Sequence, residues 1–493
     1  MVLNRVLLFV LICSLLGSCV SVKKLNQTQA VLRNAVNLRA DVSFIQNKLE
    51  KLHPCLDDYI SIKELDFKFD SLKSTLNSPM TSNDFYFRLS PVIAAVRQGH
   101  ARTFPLINKL RSREIKHAGT DGLSPLFQYD FEMFDSKLYI VKNFAGHNNI
   151  KPATELVSVN NIRPQEILSK YRNTLASDGY NQTFIDRRLI KDFPTYYFFQ
   201  NGLVDSILCE LKYNDSLSTV WLKRKADPIG IKNTKTHEQK ALERVARRKE
   251  GSKREELGYN EITRNYSKNL SFPATDSSIA LMKIADFTKG NYTKFYRESF
   301  KLLNTLNTRT LILDLRDNPG GRLSDAADLY SYLADTSYKF IERSEVASRG
   351  ILHLLVKKDD DNKYYYSFPE SSKAPCKANH FKGKIYVLIN GGTFSAACIL
   401  SSNLKGSRRA VFVGEETGGA YNGTVAGIMA RVTLPESRLK VMFGLANVKP
   451  IYKSGTYGRG IFPDVKIKPT LEDRRKGVDA EVEWVLKKVT GDG

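Results

Sequence analysis

Ser395 closes a glycine-rich turn, Val387-Leu-Ile-Asn-Gly-Gly-Thr-Phe-Ser395-Ala-Ala-Cys398, where one apolar run stops and another begins. A serine opening a helix predicted to end near Lys405 sits in the positive end of the helix dipole. The N–H groups of a first helical turn, that of Ala396 among them, have no partner inside the helix and can face a developing oxyanion. A second turn of the same kind, Leu311-Ile-Leu-Asp-Leu-Arg-Asp-Asn-Pro-Gly-Gly321, offers Gly320 and Gly321. There a chain without Cβ can approach a carbonyl group closely. The strand ends of a parallel sheet lie side by side in a crevice, so one hydroxyl and two amide-rich turns meeting there are the parts for acyl transfer. Serine is also a common helix N-cap, and alone Ser395 reads as one. The Asn-Pro-Gly-Gly turn beside it favours the nucleophile.

Asp314-Leu-Arg-Asp-Asn-Pro-Gly-Gly321 followed by Thr393-Phe-Ser395-Ala-Ala resembles the core of the tail-specific, or C-terminal processing, serine peptidases. Val413-Gly-Glu-Glu-Thr-Gly-Gly419 and Gly460-Ile-Phe-Pro-Asp464-Val are similar to further blocks of that family, and the resemblance covers residues 278–468. Several ordered blocks carry what no single one would. The resemblance implies a serine endopeptidase working through an acyl-enzyme, with a peptide or protein as substrate. It also implies an α/β core of the ClpP/crotonase-like β/α spiral type.

A serine hydroxyl needs a base within hydrogen-bond reach. One branch of the family uses a lysine and a glutamate whose positions fall here at Ala420 and Cys398, while Lys405 ends the serine's own helix and is expected to face water. A Ser–Lys dyad is therefore disfavoured. The tricorn-like branch takes a histidine ahead of the peptide-binding domain, and His100, in Val96-Arg-Gln-Gly-His-Ala-Arg-Thr103, fits that place. Imidazole suits the task, titrating near neutrality. That branch also orients its histidine with a glutamate before the Gly-x-x-Pro-Asp block, where this chain has Tyr457-Gly-Arg-Gly460. Glu415 and Glu416 lie in the right neighbourhood as orienting residues, or equally as turn residues. His53 is expected to cap or pack a helix. His117, His147, His237, His353 and His380 are scattered without the spacing of a zinc site. No metal or cofactor is expected. The missing orienter leaves a second reading, a catalytically impaired peptide-binding scaffold of the same fold.

Residues 1–19 read as a secretory signal, with Arg5 as the charged start and an apolar stretch at 6–16 too short to span a bilayer. Leu16-Gly-Ser-Cys19 looks like a bacterial lipobox, which would make Cys19 a lipidated first residue. An acyl anchor holds because each buried CH₂ contributes about 0.8 kcal/mol. The expected location is the bacterial cell envelope, with the periplasmic face preferred over the cell surface. The net charge of +23 would suggest nucleic acid in a cytosolic chain, but the export signal argues against that partner. Residues 223–254 hold twelve Lys or Arg against four Asp or Glu, which reads as a solvated linker or insertion at 223–260.

Three bodies follow from the periodicities. Residues 20–103 are expected to be helical, with apolar positions at helical spacing in 40–52, 64–76 and 82–96. Residues 115–222 carry short strands, and Ile150 to Leu168 looks like the central strand-turn-helix of a divergent PDZ-like domain, with a long insert at 169–199. Such a module captures an extended peptide at a sheet edge. Residues 261–493 alternate strand and helix, the pattern of a parallel sheet covered by helices. Tyr292, Phe295, Phe300, Leu303 and Leu306 are expected on one face of a helix, and segments 429–434 and 439–445 as an added hairpin.

Overall fold

The computed structural model describes residues 26, 29–108, 125–145, 149–224, 250–260, 265–274, 276–347 and 356–491. Cys19 with the predicted signal, residues 225–249 of the basic segment, and His117, His147, His237 and His353 lie outside the described residues.

Three N-terminal helices, α1 (Ala35–Leu52), α2 (Ile62–Thr75) and α3 (Ser82–Ala94), are each opened by a side chain accepting a backbone N–H, from Asn34, Ser61 and Thr81 respectively. They bury the predicted apolar stripes, Val42, Ile45 and Leu49 among them. Strand β1 (Arg102–Phe104) follows directly after His100.

A five-stranded antiparallel sheet comes next, in spatial order β2 (Tyr129–Phe134), β3 (Lys137–Asn143), β4 (Thr154–Val159), β5 (Ser206–Tyr213) and β6 (Ser216–Lys223). Between β4 and β5 run α4 (Pro164–Arg172), α5 (Thr183–Lys191) and α6 (Phe193–Asn201). The insert at 169–199 thus completes α4 and builds α5 and most of α6.

The core sheet holds β7 (Lys268–Ser271), β8 (Ile279–Ile284), β9 (Thr310–Asp314), β10 (Lys384–Ile389), β11 (Val411–Gly414) and a short last strand, Val465–Lys466. Its spatial order is the last strand, β11, β10, β9, β8, β7, and every pairing is parallel except β8 with β7. Alternate residues point to opposite faces. Ala280, Met282, Leu311, Leu313, Val387 and Ile389 pack under α7 (Tyr292–Thr305), α8 (Leu323–Leu333) and α9 (Ala396–Gly406). Ile279, Ile312, Tyr386 and Leu388 face α10 (Ala480–Thr490) through Val482 and Val485. Leu306 leaves the expected stripe: α7 stops at Thr305 and Leu306, its C-cap, is 39% exposed.

The predicted hairpin is longer than its apolar pattern, β12 (Thr424–Thr433) paired with β13 (Lys440–Val448) across a bulge between Ala426 and Met429. β1 pairs antiparallel with β13, Arg102 opposite Met442 and Thr103 opposite Val441. Leu434, Leu439, Val441 and Phe443 of the hairpin share one apolar cluster with α1–α3 and the β2–β6 sheet. The N-terminal part is therefore packed onto the core, and the chain leaving α3 is carried to the mouth of the central sheet. Charge adds to this docking: Arg187 of α5 grips Asp317 through two 2.6 Å bonds, and Arg474 holds Glu132 of β2 at 2.8 Å.

Candidate active site

β9 and β10 both end in turns whose polar side chains are spent on each other. After β9 the chain turns at Asp317, in the left-handed region with φ 61°, which aspartate tolerates better than most residues. Asn390, ending β10, accepts the N–H groups of both Asp317 and Gly392 at 2.9 Å. The Thr393 hydroxyl donates to Leu315 O at 2.8 Å, and Phe394 N–H donates to Asn318 O at 2.9 Å. The two turns are one cross-linked unit.

Asn318 is fully buried within it; its Nδ2 donates to Ile284 O and its Oδ1 accepts the Gly320 N–H, both at 2.8 Å. This corrects one expectation for the oxyanion donors, since the Gly320 amide is already spent. Gly320 is needed instead for its missing side chain: a Cβ there would stand 2.7 Å from Ser395 Cβ and 2.8 Å from Ala396 N. The N–H groups of Gly321 and Ala396 have no hydrogen-bond partner among the described residues. Asn318→Ala should strip partners from a buried carbonyl and a buried amide, lowering stability by about 3 kcal/mol. Urea unfolding measures it, and a loss below about 1 kcal/mol contradicts this account of the turn.

Ser395 occupies the N-cap position of α9 but makes no capping bond. Its backbone sits at φ 53°, ψ −126°, a conformation natural to glycine. A non-glycine residue held there stores roughly 1–3 kcal/mol, and such residues cluster at functional sites. The reward is direction: Ser395 Oγ lies 3.1 Å from His100 Nε2, a contact joining residues 295 positions apart. The helix behind is buried from Ala396 to Leu404, and its polar groups Ser401, Ser402 and Asn403 are satisfied by main-chain carbonyls.

His100 is aimed by what flanks it. On one side β1 is stitched to β13; on the other Gly99 donates its N–H to Asp178 Oδ1 at 2.8 Å. The imidazole packs against Phe394 at 4.9 Å between centroids, and Phe394 is stacked in turn on Phe184 of α5 at 4.3 Å. His100 as a whole is half-buried. Burial, then the charges of Arg102 and Arg188, push its pKa down to about 4. At neutral pH the ring is uncharged and can accept a proton. No carboxylate is among the groups that set this pKa.

The remaining candidates lie elsewhere. Glu416 receives Arg459 through bonds of 3.0 and 2.6 Å and the Gly460 N–H at 2.9 Å, a turn clamp with no contact to His100. Glu415 lines a cavity between the core strand ends and the β2–β3 hairpin, beside Arg187. Lys405 is ion-paired with Asp464 at the far end of α9. The Cys398 thiol donates to Gly419 O at 3.2 Å, and burial pushes its pKa up to about 12. His53 is buried at the end of α1, accepting the Cys55 N–H on Nδ1. His380 is half-buried, its Nδ1 2.9 Å from Lys377 O. Asp314 of the Asp-Leu-Arg motif is structural: it is bound by Arg316 and Lys283, which hold its carboxyl well below the usual range.

Asn318, Asp178 and the Phe184–Phe394 stack were not identified from sequence. Asn318 sits inside the quoted motif but gives no sign that its side chain consumes the Gly320 amide. Asp178-Gly179 reads only as a turn.

Residues 278–467 match the model of Peptidase family S41. The tail-specific protease of Haemophilus influenzae is 26% identical over 208 residues, covering 41% of this chain and 27% of that relative. The chloroplastic carboxyl-terminal-processing peptidase 2 of Arabidopsis thaliana is 27% identical over 166 residues, covering 34% and 28% respectively. The chain therefore spans less than a third of the length of these two relatives. Among solved structures, mature CPAF superimposes with a TM-score of 0.58 at 15% identity, covering 93% of this chain and 98% of that one. That likeness is one of fold, and it extends beyond the core to the N-terminal helices and the second sheet. Residues 278–467, with Ser395 at the head of α9, thus match the model of Peptidase family S41 and are similar to a tail-specific protease and a carboxyl-terminal-processing peptidase.

Proposed function

We propose that this chain is a serine endopeptidase of the bacterial cell envelope, lipid-anchored through Cys19 and hydrolysing peptide bonds by a Ser–His mechanism. The observation that carries the reading is the 3.1 Å approach of Ser395 Oγ to His100 Nε2, with Ser395 held at positive φ and making no cap.

In the acylation step Ser395 Oγ attacks the scissile carbonyl carbon while His100 Nε2 takes the hydroxyl proton. For Nε2 to accept, the ring proton must reside on Nδ1. The charge gathering on the carbonyl oxygen is met by the Gly321 and Ala396 N–H groups, with the positive end of α9 behind them. Collapse breaks the C–N bond, and His100 returns its proton to the leaving amine. Water, deprotonated by the same ring, then releases the acyl group and restores Ser395. The imidazolium formed along the way lies in the field of Arg102 and Arg188; Asp192 pairs with Arg188 at 2.9 Å, but among the described residues no carboxylate acts on the ring itself. A slow acylation step follows, which also gives physical content to the alternative of an impaired, peptide-binding scaffold.

Reaction of purified membranes with a fluorophosphonate probe separates the two. Covalent label on Ser395 supports the enzyme, and a folded chain that stays unlabelled supports the scaffold. In the same experiment the label should sediment with membranes in the wild type and move to the soluble fraction in Cys19→Ser. Label that sediments equally in both removes the lipid anchor.

A further inference from the structure

Asp178 is fully buried, yet its two oxygens are unequally served. Oδ1 takes the Gly99 N–H at 2.8 Å, while Oδ2 closes no hydrogen bond among the described residues and the Thr424 hydroxyl and Ala420 N–H approach the carboxylate only loosely. No cation is among the groups that set its protonation, which are burial on one side and the Gly99 N–H, Thr424 hydroxyl and Ala420 N–H on the other. An uncompensated buried carboxylate weakens a fold, and an asparagine would accept the same N–H without that cost.

Its position suggests what the carboxylate does. Gly99 immediately precedes His100, and a Cβ on it would strike the Phe394 ring at 2.6 Å and come within 3.3 Å of Asp178 Oδ1. The base-bearing segment is thus pinched between Phe394 and Asp178. The turn carrying Asp178 is itself anchored on three sides: Gly179 N–H donates to Arg97 O and Tyr180 N–H to Gly458 O, both at 2.8 Å, and Asn181 Nδ2 donates to Thr417 O at 2.6 Å. These bonds tie the histidine segment to the 413–419 and 457–460 blocks, so the carboxylate cannot drift relative to the cleft.

We propose that Asp178 is the positioning residue of the general base: held against the Gly99 N–H, its carboxylate fixes the backbone that aims the His100 ring at Ser395. The proposal rests on the reading of Ser395 and His100 as a catalytic pair.

The ionised form should do this better, because a hydrogen bond to a carboxylate is roughly twice as strong as one to a neutral acceptor. Burial pushes the Asp178 pKa up to about 6. The other titratable groups facing it are the Tyr59 phenol, from the segment after α1, and the Cys398 thiol of α9, both themselves pushed up in part by this carboxylate. Neither is charged near pH 6, so the charge change there belongs to Asp178. With its folded pKa above the ordinary value of 3.8, Asp178 contributes stability below about pH 3.8 that is lost as pH rises through about 6. At pH 7.5 it therefore opposes folding while supporting the base.

The test uses the full chain and a fluorophosphonate probe, reading the second-order rate of Ser395 labelling between pH 4.5 and 8.5, with thermal unfolding alongside. The wild type should lose rate below about pH 6. Asp178→Asn should react about tenfold more slowly at pH 7.5, lose the step near pH 6, and unfold at a higher temperature than the wild type at pH 7.5. Asp178→Ala, which removes the acceptor altogether, should be slower still; if it fails to fold, Asp178→Asn carries the test alone. Wild-type rates in Asp178→Asn with the step near pH 6 retained would overturn the proposal while leaving the Ser–His pair standing. Probe incorporation that persists in Ser395→Ala would overturn the pair and the positioning role together.

Discussion

Ser395→Ala is expected to lower turnover of an unfolded protein substrate such as casein by about 10⁴-fold or more. At about 1.36 kcal/mol per decade, that is over 5 kcal/mol of transition-state stabilisation removed with one oxygen atom. The fold should not notice, because the hydroxyl makes no capping bond and its contact is to His100 alone among the described residues. A Ser395→Gly variant sharpens the point. It should be equally inactive but more stable, since glycine adopts φ 53°, ψ −126° freely. Relief of roughly 1–3 kcal/mol of strain outweighs the roughly 0.5–1 kcal/mol that glycine's unfolded-state freedom costs, leaving a gain of about 1 kcal/mol. Dead and stabilised is the signature of a residue placed for chemistry. Turnover in Ser395→Ala within tenfold of wild type would remove Ser395 as nucleophile, and a destabilised Ser395→Gly would remove the strain argument.

The site was legible in sequence to the extent that its information is local. Apolar runs ending in glycine turns mark where β9 and β10 end, at Asp314 and Ile389, and α9 begins one residue after the serine expected to open it. What a pattern cannot supply is the sign of a dihedral: the difference between a capping serine and one turned toward a histidine is the φ of Ser395. Nor can it tell which amide a neighbour consumes: Gly320 reads as a donor, although Asn318, two residues before it, takes its N–H. Contacts of long sequence separation were the least readable. The family resemblance pointed to His100, but nothing local indicated that β1 would be sewn to β13 or that Asp178 would hold Gly99. The insert at 169–199 read as an oddity of the second domain. In the fold it supplies Phe184 behind Phe394, Arg187 on Asp317 and the Asp178 turn, three supports of the active-site wall.

His100→Ala should approach the Ser395→Ala defect, with a loss of about 10³–10⁴-fold, because the serine then has no acceptor for its proton. Lys405 cannot substitute: it stands at the other end of α9 in an ion pair with Asp464. The pH dependence separates a base from a packing residue. His100 is pushed down to about 4, so its neutral form persists well below neutrality, and the step it imposes on turnover should fall near pH 4. In the wild type that step lies beneath the one assigned to Asp178, and Asp178→Asn should expose it. Stability runs by the same linkage with the opposite sense to Asp178. A histidine whose folded pKa is depressed contributes stability that is present above about 6.5 and lost as pH falls through about 4. His53, buried and also pushed down to about 4, adds an equal tendency. Acid unfolding of the wild type should therefore begin below about pH 6, and His100→Ala should blunt it without abolishing it, since His53 remains. A His100→Ala variant that keeps full turnover at pH 7.5, or an Asp178→Asn profile with no step near pH 4, would show that the imidazole beside Ser395 is a neighbour and not its base.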